Sequence, residues 1–181
     1  MKKIFAVGLC AVALFAGSVS AQKPVTVGGA PMYPNKNIIE NAVNSKDHTT
    51  LVAAVKAAGL VETLQGPGPF TVFAPVNDAF AALPAGTVDN LLKPESKGTL
   101  TAVLTYHVVP GRLNSQALSR MIKEGKGKAS LKTVQGEELW VSMKGNMIAV
   151  TDAKGGTAMV SIANVNQSNG VIHVIDKVLM P

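Results

Sequence analysis

The stretch from residue 130 to residue 165 constrains the fold of this chain more than any other. Four β-prone runs, Ser130 to Val134, Glu138 to Met143, Met147 to Thr151 and Ala158 to Val165, are separated only by short turn signals such as Gln135-Gly136, Gly145-Asn146 and Gly155-Gly156. A parallel pair needs a crossover of roughly a dozen residues or more, usually a helix, and no gap here shows a helical pattern. The spacing predicts antiparallel strands.

The first half has a different rhythm. Ile38, Ile39 and Val43 share one helical face, and Leu51, Val52 and Val55 recur at helical spacing after Asp47, a plausible N-cap, with Gly59 as the stop. Gly66-Pro67-Gly68-Pro69 then forbids a helix, and Phe70 to Phe73 is a β-prone run closed by Pro75. Asn77 or Asp78 caps a brief helix that ends at Pro84. Thr87 to Leu92, Thr99 to Val103 and Ser115 to Lys123 read as helices, and Thr105 to Val109 as a strand ended by Pro110-Gly111. Helices gathered first and strands last predict an α+β domain.

Met1 to Ala21 stands apart from the fold. Lys2 and Lys3, an apolar stretch from Ile4 to Ala16, and Val19-Ser20-Ala21 have the order of a secretory signal peptide cut before Gln22. The apolar stretch is short for a bilayer span, so no integral membrane segment is expected in the mature form. Of the 181 residues, removing 21 leaves 160, enough for one domain. The only cysteine, Cys10, leaves with the signal, which excludes a disulfide framework, a thiolate metal site and a cysteine nucleophile. Residues 22–36, rich in Pro and Gly, read as an extended leader, and residues 37–181 as the domain.

Charge is unevenly spread. From Lys93 to Lys132 eight basic residues face only Glu95 and Glu124. Arg112, Arg120, Lys123, Lys126, Lys128 and Lys132 therefore point to an anionic partner. Nucleic acid is not expected, because no aromatic residue lies between Arg112 and Lys132 to stack on bases.

Three segments taken together resemble the fasciclin, or FAS1, domain family. Residues 70–80 (FTVFAPVNDAF) are similar to its first signature, Tyr106-His107-Val108-Val109 to its central Tyr-His motif, and residues 169–181 (NGVIHVIDKVLMP) to its second signature. The resemblance implies an antiparallel β-wedge or sandwich flanked by N-terminal and central helices, with the signatures lying together at its centre. It also implies a secreted or surface-displayed protein that works by adhesion and protein or matrix contacts, without turnover or cofactor. Together with the signal peptide, the chain length and the basic stretch, the expectation is a single-domain, secreted or periplasmic bacterial member that contacts a protein, cell-surface or matrix partner or an anionic polysaccharide. In animal relatives the Tyr-His region is tied to integrin recognition; Tyr106 and His107 match it here. That partner is not carried over, since no Arg-Gly-Asp occurs.

His173 and Asp176 are the residues most suggestive of chemistry. On a strand they face opposite ways, and no Gly-x-Ser-x-Gly supplies a nucleophile. They are expected instead, with Asn77, to be polar clips that bond unpaired backbone groups. By the same alternation one of Tyr106 and His107 enters the core while the other reaches solvent. His48, His107 and His173 lie on separate elements without metal-ligand spacing. Trp140, the only tryptophan, is a half-buried strand residue or an anchor for a partner or sugar. The competing reading is a periplasmic hydrolase or small-ligand binder with a pocket near His107 or His173.

Overall fold

The computed structural model describes residues 23–181, so the expected signal peptide lies outside the described residues. Val25–Val27 (β1) and Ala30–Met32 (β2) pair as an antiparallel hairpin. Val27 and Met32 are buried in the larger core, so the segment read as a leader contributes to packing. Ile38–Ala42 (α1) opens with a capping box, in which the Asn37 side chain accepts from the Glu40 N–H and the Glu40 carboxylate accepts from the Asn37 N–H. Thr49–Ala58 (α2) buries Leu51, Ala54, Val55 and Ala58 and stops at Gly59, whose φ of 74° suits glycine.

Val61–Gln65 (α3) leads into Phe70–Pro75 (β3). Asn77–Ala81 (α4), Thr87–Leu91 (α5) and Lys97–Tyr106 (α6) follow, then Val108–Pro110 (β4) and Ser115–Glu124 (α7). The remaining strands are Lys128–Lys132 (β5), Glu138–Lys144 (β6), Met147–Thr151 (β7), Thr157–Gln167 (β8) and Gly170–Ile175 (β9). The fold is α+β, with a seven-stranded sheet in the order β4-β3-β9-β8-β7-β6-β5. The Val134 N–H donates to the Val108 carbonyl at 2.8 Å, so the chain leaving β5 meets β4 and the sheet nearly closes into a barrel.

Two expectations need correction. The sheet is mixed, because β3 and β9 pair in parallel from Phe70↔Gly170 to Pro75↔Ile175. Nearly the whole domain serves as their crossover, which spacing between neighbouring runs does not reveal. The segment from Thr105 to Val109 is also not one strand, since α6 continues through Tyr106 and His107 is its C-cap. Leu100, Val103 and Leu104 form a buried helical face, and that packing overrides the β propensity of the residues after it.

The core has two compartments divided by β3 and β9. Val72, Ala74, Ile172 and Val174 face the helices, while Phe73 and Ile175 face the barrel interior with Leu139, Val141 and Val150. Burial on both faces explains why these strands are nearly unbroken apolar runs. Gly170 has a specific reason to be glycine, because a Cβ there would run into the Phe70 carbonyl of the paired strand.

Candidate functional site

His107 and His173, from the second and third signature segments, are buried beside β3 and β9 where the two core compartments meet, whereas Asn77 and Asp176 lie nearer the surface. Tyr106 is fully buried, and its hydroxyl donates to the Glu138 carbonyl at 2.9 Å while accepting from the Ala153 N–H at 2.9 Å. It ties the end of α6 to β6 and to the β7–β8 turn. Burial pushes its phenol up from the ordinary range.

His107 is buried too. Its Nδ1–H donates to the Val103 carbonyl at 2.7 Å, and its Nε2 accepts from the Leu179 N–H at 3.0 Å. These partners fix one neutral tautomer, and burial lowers its pKa to about 4. The expectation that one of this pair reaches solvent fails, because the two sit on a helix end rather than on alternating strand positions. Neither Tyr106 nor His107 presents a surface to a partner.

His173 is fully buried on β9, stacked on Phe73 with ring centroids 5.7 Å apart, and its Nε2–H donates to the Leu113 carbonyl at 2.8 Å. Burial lowers its pKa also. Asp176 lies beyond the end of β9 and is exposed, so it is not a buried carboxylate; its Oδ1 accepts from the Met159 N–H at 2.7 Å. Asn77 reaches across to α2, where its Oδ1 accepts from the Thr50 N–H at 3.0 Å and from the Thr49 hydroxyl at 3.1 Å. Its Nδ2 donates to the Lys46 carbonyl at 2.7 Å. The cap expected from Asp47 is thus supplied to α2 from another element.

Several such fasteners were not singled out in the sequence. Asp152 is buried in the β7–β8 turn, where Oδ1 accepts from the Lys154 and Gly156 N–H groups and Oδ2 from the Met180 N–H at 3.1 Å. An Asp ahead of Gly155-Gly156 is a turn signal, and that was the clue available. Asn169 accepts from the Ile38 N–H and donates to the Leu64 and Gly66 carbonyls. Asn41, buried in α1, bonds both backbone groups of Tyr33 and the buried Gln167 side chain.

The basic candidates divide among three places. Arg112 is exposed, but its guanidinium donates to the Gln167 and Ser168 carbonyls at 2.9 and 3.1 Å, fastening the β8–β9 turn. Arg120 and Lys123 line a shallow groove on α7 with Ser115, Gln116 and Ser119. Lys128 and Lys132 lie on β5 with exposed side chains, and Lys126 precedes that strand. Lys128 Nζ sits 4.9 Å from the centroid of the half-buried Trp140 ring.

A largely enclosed cavity of about 40 Å³ lies in the larger compartment and is walled by apolar side chains together with His48 and His107. Both His107 nitrogens are already bonded. His48 Nδ1 pairs with the Ser45 hydroxyl at 2.9 Å, and its Nε2, near the Ala74 carbonyl, closes no hydrogen bond among the described residues. Burial lowers the His48 pKa as well. Among the described residues no three His, Cys, Asp or Glu side chains stand together as metal ligands, and no helix is long and apolar enough to cross a membrane.

Comparison with known proteins agrees with this architecture. Protein sll1483 of Synechocystis sp. is 45% identical over 177 residues, which cover 98% of this chain and 91% of that protein. Immunogenic protein MPB70 of Mycobacterium bovis is 36% identical over 163 residues, covering 87% and 74% respectively. Transforming growth factor-beta-induced protein ig-h3 of Sus scrofa is 39% identical over 72% of this chain, which corresponds to only 17% of that longer protein. A solved FAS1 domain pair from the insect cell adhesion molecule fasciclin I shares the fold, with a TM-score of 0.73 over 82% of this chain and 52% of that one at 16% identity. The Fasciclin domain matches residues 46–181, and the chain belongs to the fasciclin family.

Proposed function

We propose that this protein is an exported adhesion module that contacts an acidic polysaccharide of the cell surface or matrix through its exterior and turns over no substrate. The observation that carries this reading is the division of its polar groups. Tyr106, His107 and His173 are sealed inside and hydrogen-bonded to backbone, whereas Lys126, Lys128 and Lys132 are exposed. A nucleophile, base or acid in this fold would need access to a substrate, and the buried histidines have none. The 40 Å³ cavity is also far below the roughly 300 Å³ or more of small-molecule sites, so it gives little support to a ligand-binding or hydrolytic reading. Membership of the fasciclin family, whose fold an insect cell adhesion molecule shares, supports contact as the activity.

Retention of the mature chain on immobilised polyuronate, compared with neutral dextran, tests the reading. Binding is expected to weaken steeply as salt rises, since screening acts over about 10 Å at 0.1 M. Absence of retention on polyuronate at low salt would refute it.

A further inference from the structure

The outer face of β5 and β6 carries more than charge. Along β6 the residues Leu139 and Val141 point into the barrel, which leaves Glu138, Trp140, Ser142 and Lys144 on the opposite side. The strand register sets Ser130 and Thr151 on either side of Trp140, and Lys128 beside Ser142. Thr157 follows Thr151 on the next strand, their hydroxyls 3.2 Å apart. One aromatic ring is therefore bordered by hydroxyls on both flanks.

Charge is concentrated at one end of this face. Lys144 is a diagonal neighbour of Lys128 across the β5–β6 pair, a separation of about 7–8 Å between backbones, and Lys126 precedes β5 at the same end. At the other end Lys132 stands opposite Glu138, which offsets it. Lysine on an exposed strand is also a common guard against edge pairing. That role explains Lys128 or Lys132, but it does not call for a tryptophan or a ring of hydroxyls beside them.

We infer that this face is a subsite for a uronic acid residue of an acidic polysaccharide, an inference that rests on the proposed function and assigns its contact residues. The apolar face of a pyranose packs on the Trp140 indole, its carboxylate pairs with Lys128 and Lys144, and Ser130, Ser142 and Thr151 bond its hydroxyls. The Lys128 ammonium now over the ring is held only by an exposed cation–π contact, so it is free to swing onto a carboxylate. With Lys126 at the same end, the positive charge extends past a single carboxylate, which suits an anionic chain better than one small anion. Nucleic acid fits poorly with a single aromatic ring, and an anionic membrane would need a wider apolar surface than exposed Met143 and Met147 at the hairpin tip.

Trp140 is the only tryptophan in the protein, so its emission reports this face directly. Titration of the mature chain with polygalacturonate is expected to give a saturable emission change that neutral dextran does not produce. Lys128→Ala with Lys144→Ala should weaken binding about tenfold or more, the effect of losing charge-assisted contacts. Arg120→Ala with Lys123→Ala should leave it within about twofold. Trp140→Ala, followed by electrophoresis in polygalacturonate gels, should weaken retention comparably, and unchanged melting temperatures confirm that each variant is folded. Binding lost with Arg120→Ala and Lys123→Ala but kept without Lys128 and Lys144 would overturn this inference while leaving the adhesion reading intact. So would undiminished retention of Trp140→Ala, which marks general polyanion attraction; binding to anionic phospholipid vesicles without any response to polygalacturonate would count against both readings. Failure to bind acidic polysaccharide at all would remove both.

Discussion

His107 makes two hydrogen bonds in a position closed to water, one within its own helix and one to the chain terminus at Leu179. Its pKa of about 4 lies below the roughly 6.5 of a free imidazole. Between those values the unfolded chain takes up a proton that the folded chain refuses, so stability is full above pH 6.5 and falls as pH drops toward 4. The full difference is about 3 kcal/mol for this group, and His48 and His173 are shifted in the same direction. Urea unfolding at pH 7 and pH 5 should show a loss of about 2 kcal/mol or more, and His107→Gln should flatten that slope while lowering stability at pH 7. A pH-independent midpoint across this range would contradict neutral burial of the histidines. The polar character of these residues was legible in the sequence, but their partners were not. Leu179 and Leu113 are far from His107 and His173 along the chain, and only the closed fold brings them together.

Among the elements, β6, β7 and the helices α2 and α7 were legible because turns, the Gly59 stop and periodic apolar residues agree locally. The parallel β3–β9 pair and the end of α6 were not, since both are decided by tertiary packing. The same applies to the N-terminal hairpin, whose sequence has no marked period yet places Val27 and Met32 in the core. Met32→Ala should cost about 2–4 kcal/mol, read from chemical denaturation; a change under 0.5 kcal/mol would mean that the hairpin is not docked. Asn77→Ala removes the cap of α2 and two further bonds. It should cost about 1–2 kcal/mol by the same measurement, and hydrogen exchange should rise first at Thr50. Equal exchange there would place the cap elsewhere.

At the scale of the whole molecule, polar side chains facing inward fasten segments distant in sequence, and the lysines facing outward are the proposed contact groups. Charge asymmetry was legible as a run of lysines and arginines, but the run hides three destinations: Arg112 holds a turn, Arg120 and Lys123 edge a groove on α7, and Lys128 flanks Trp140. Lys144 joins Lys128 only through strand register, so no linear reading of charge reveals it. The most direct test measures melting temperature and polygalacturonate affinity side by side in two sets of variants. His107→Gln and His173→Gln should melt lower yet, at a temperature where they remain folded, bind within about twofold of the parent; Lys128→Ala with Lys144→Ala should melt unchanged and bind about tenfold more weakly. The reverse pattern, with affinity lost from the histidine variants and kept in the lysine variants, would contradict the division of roles.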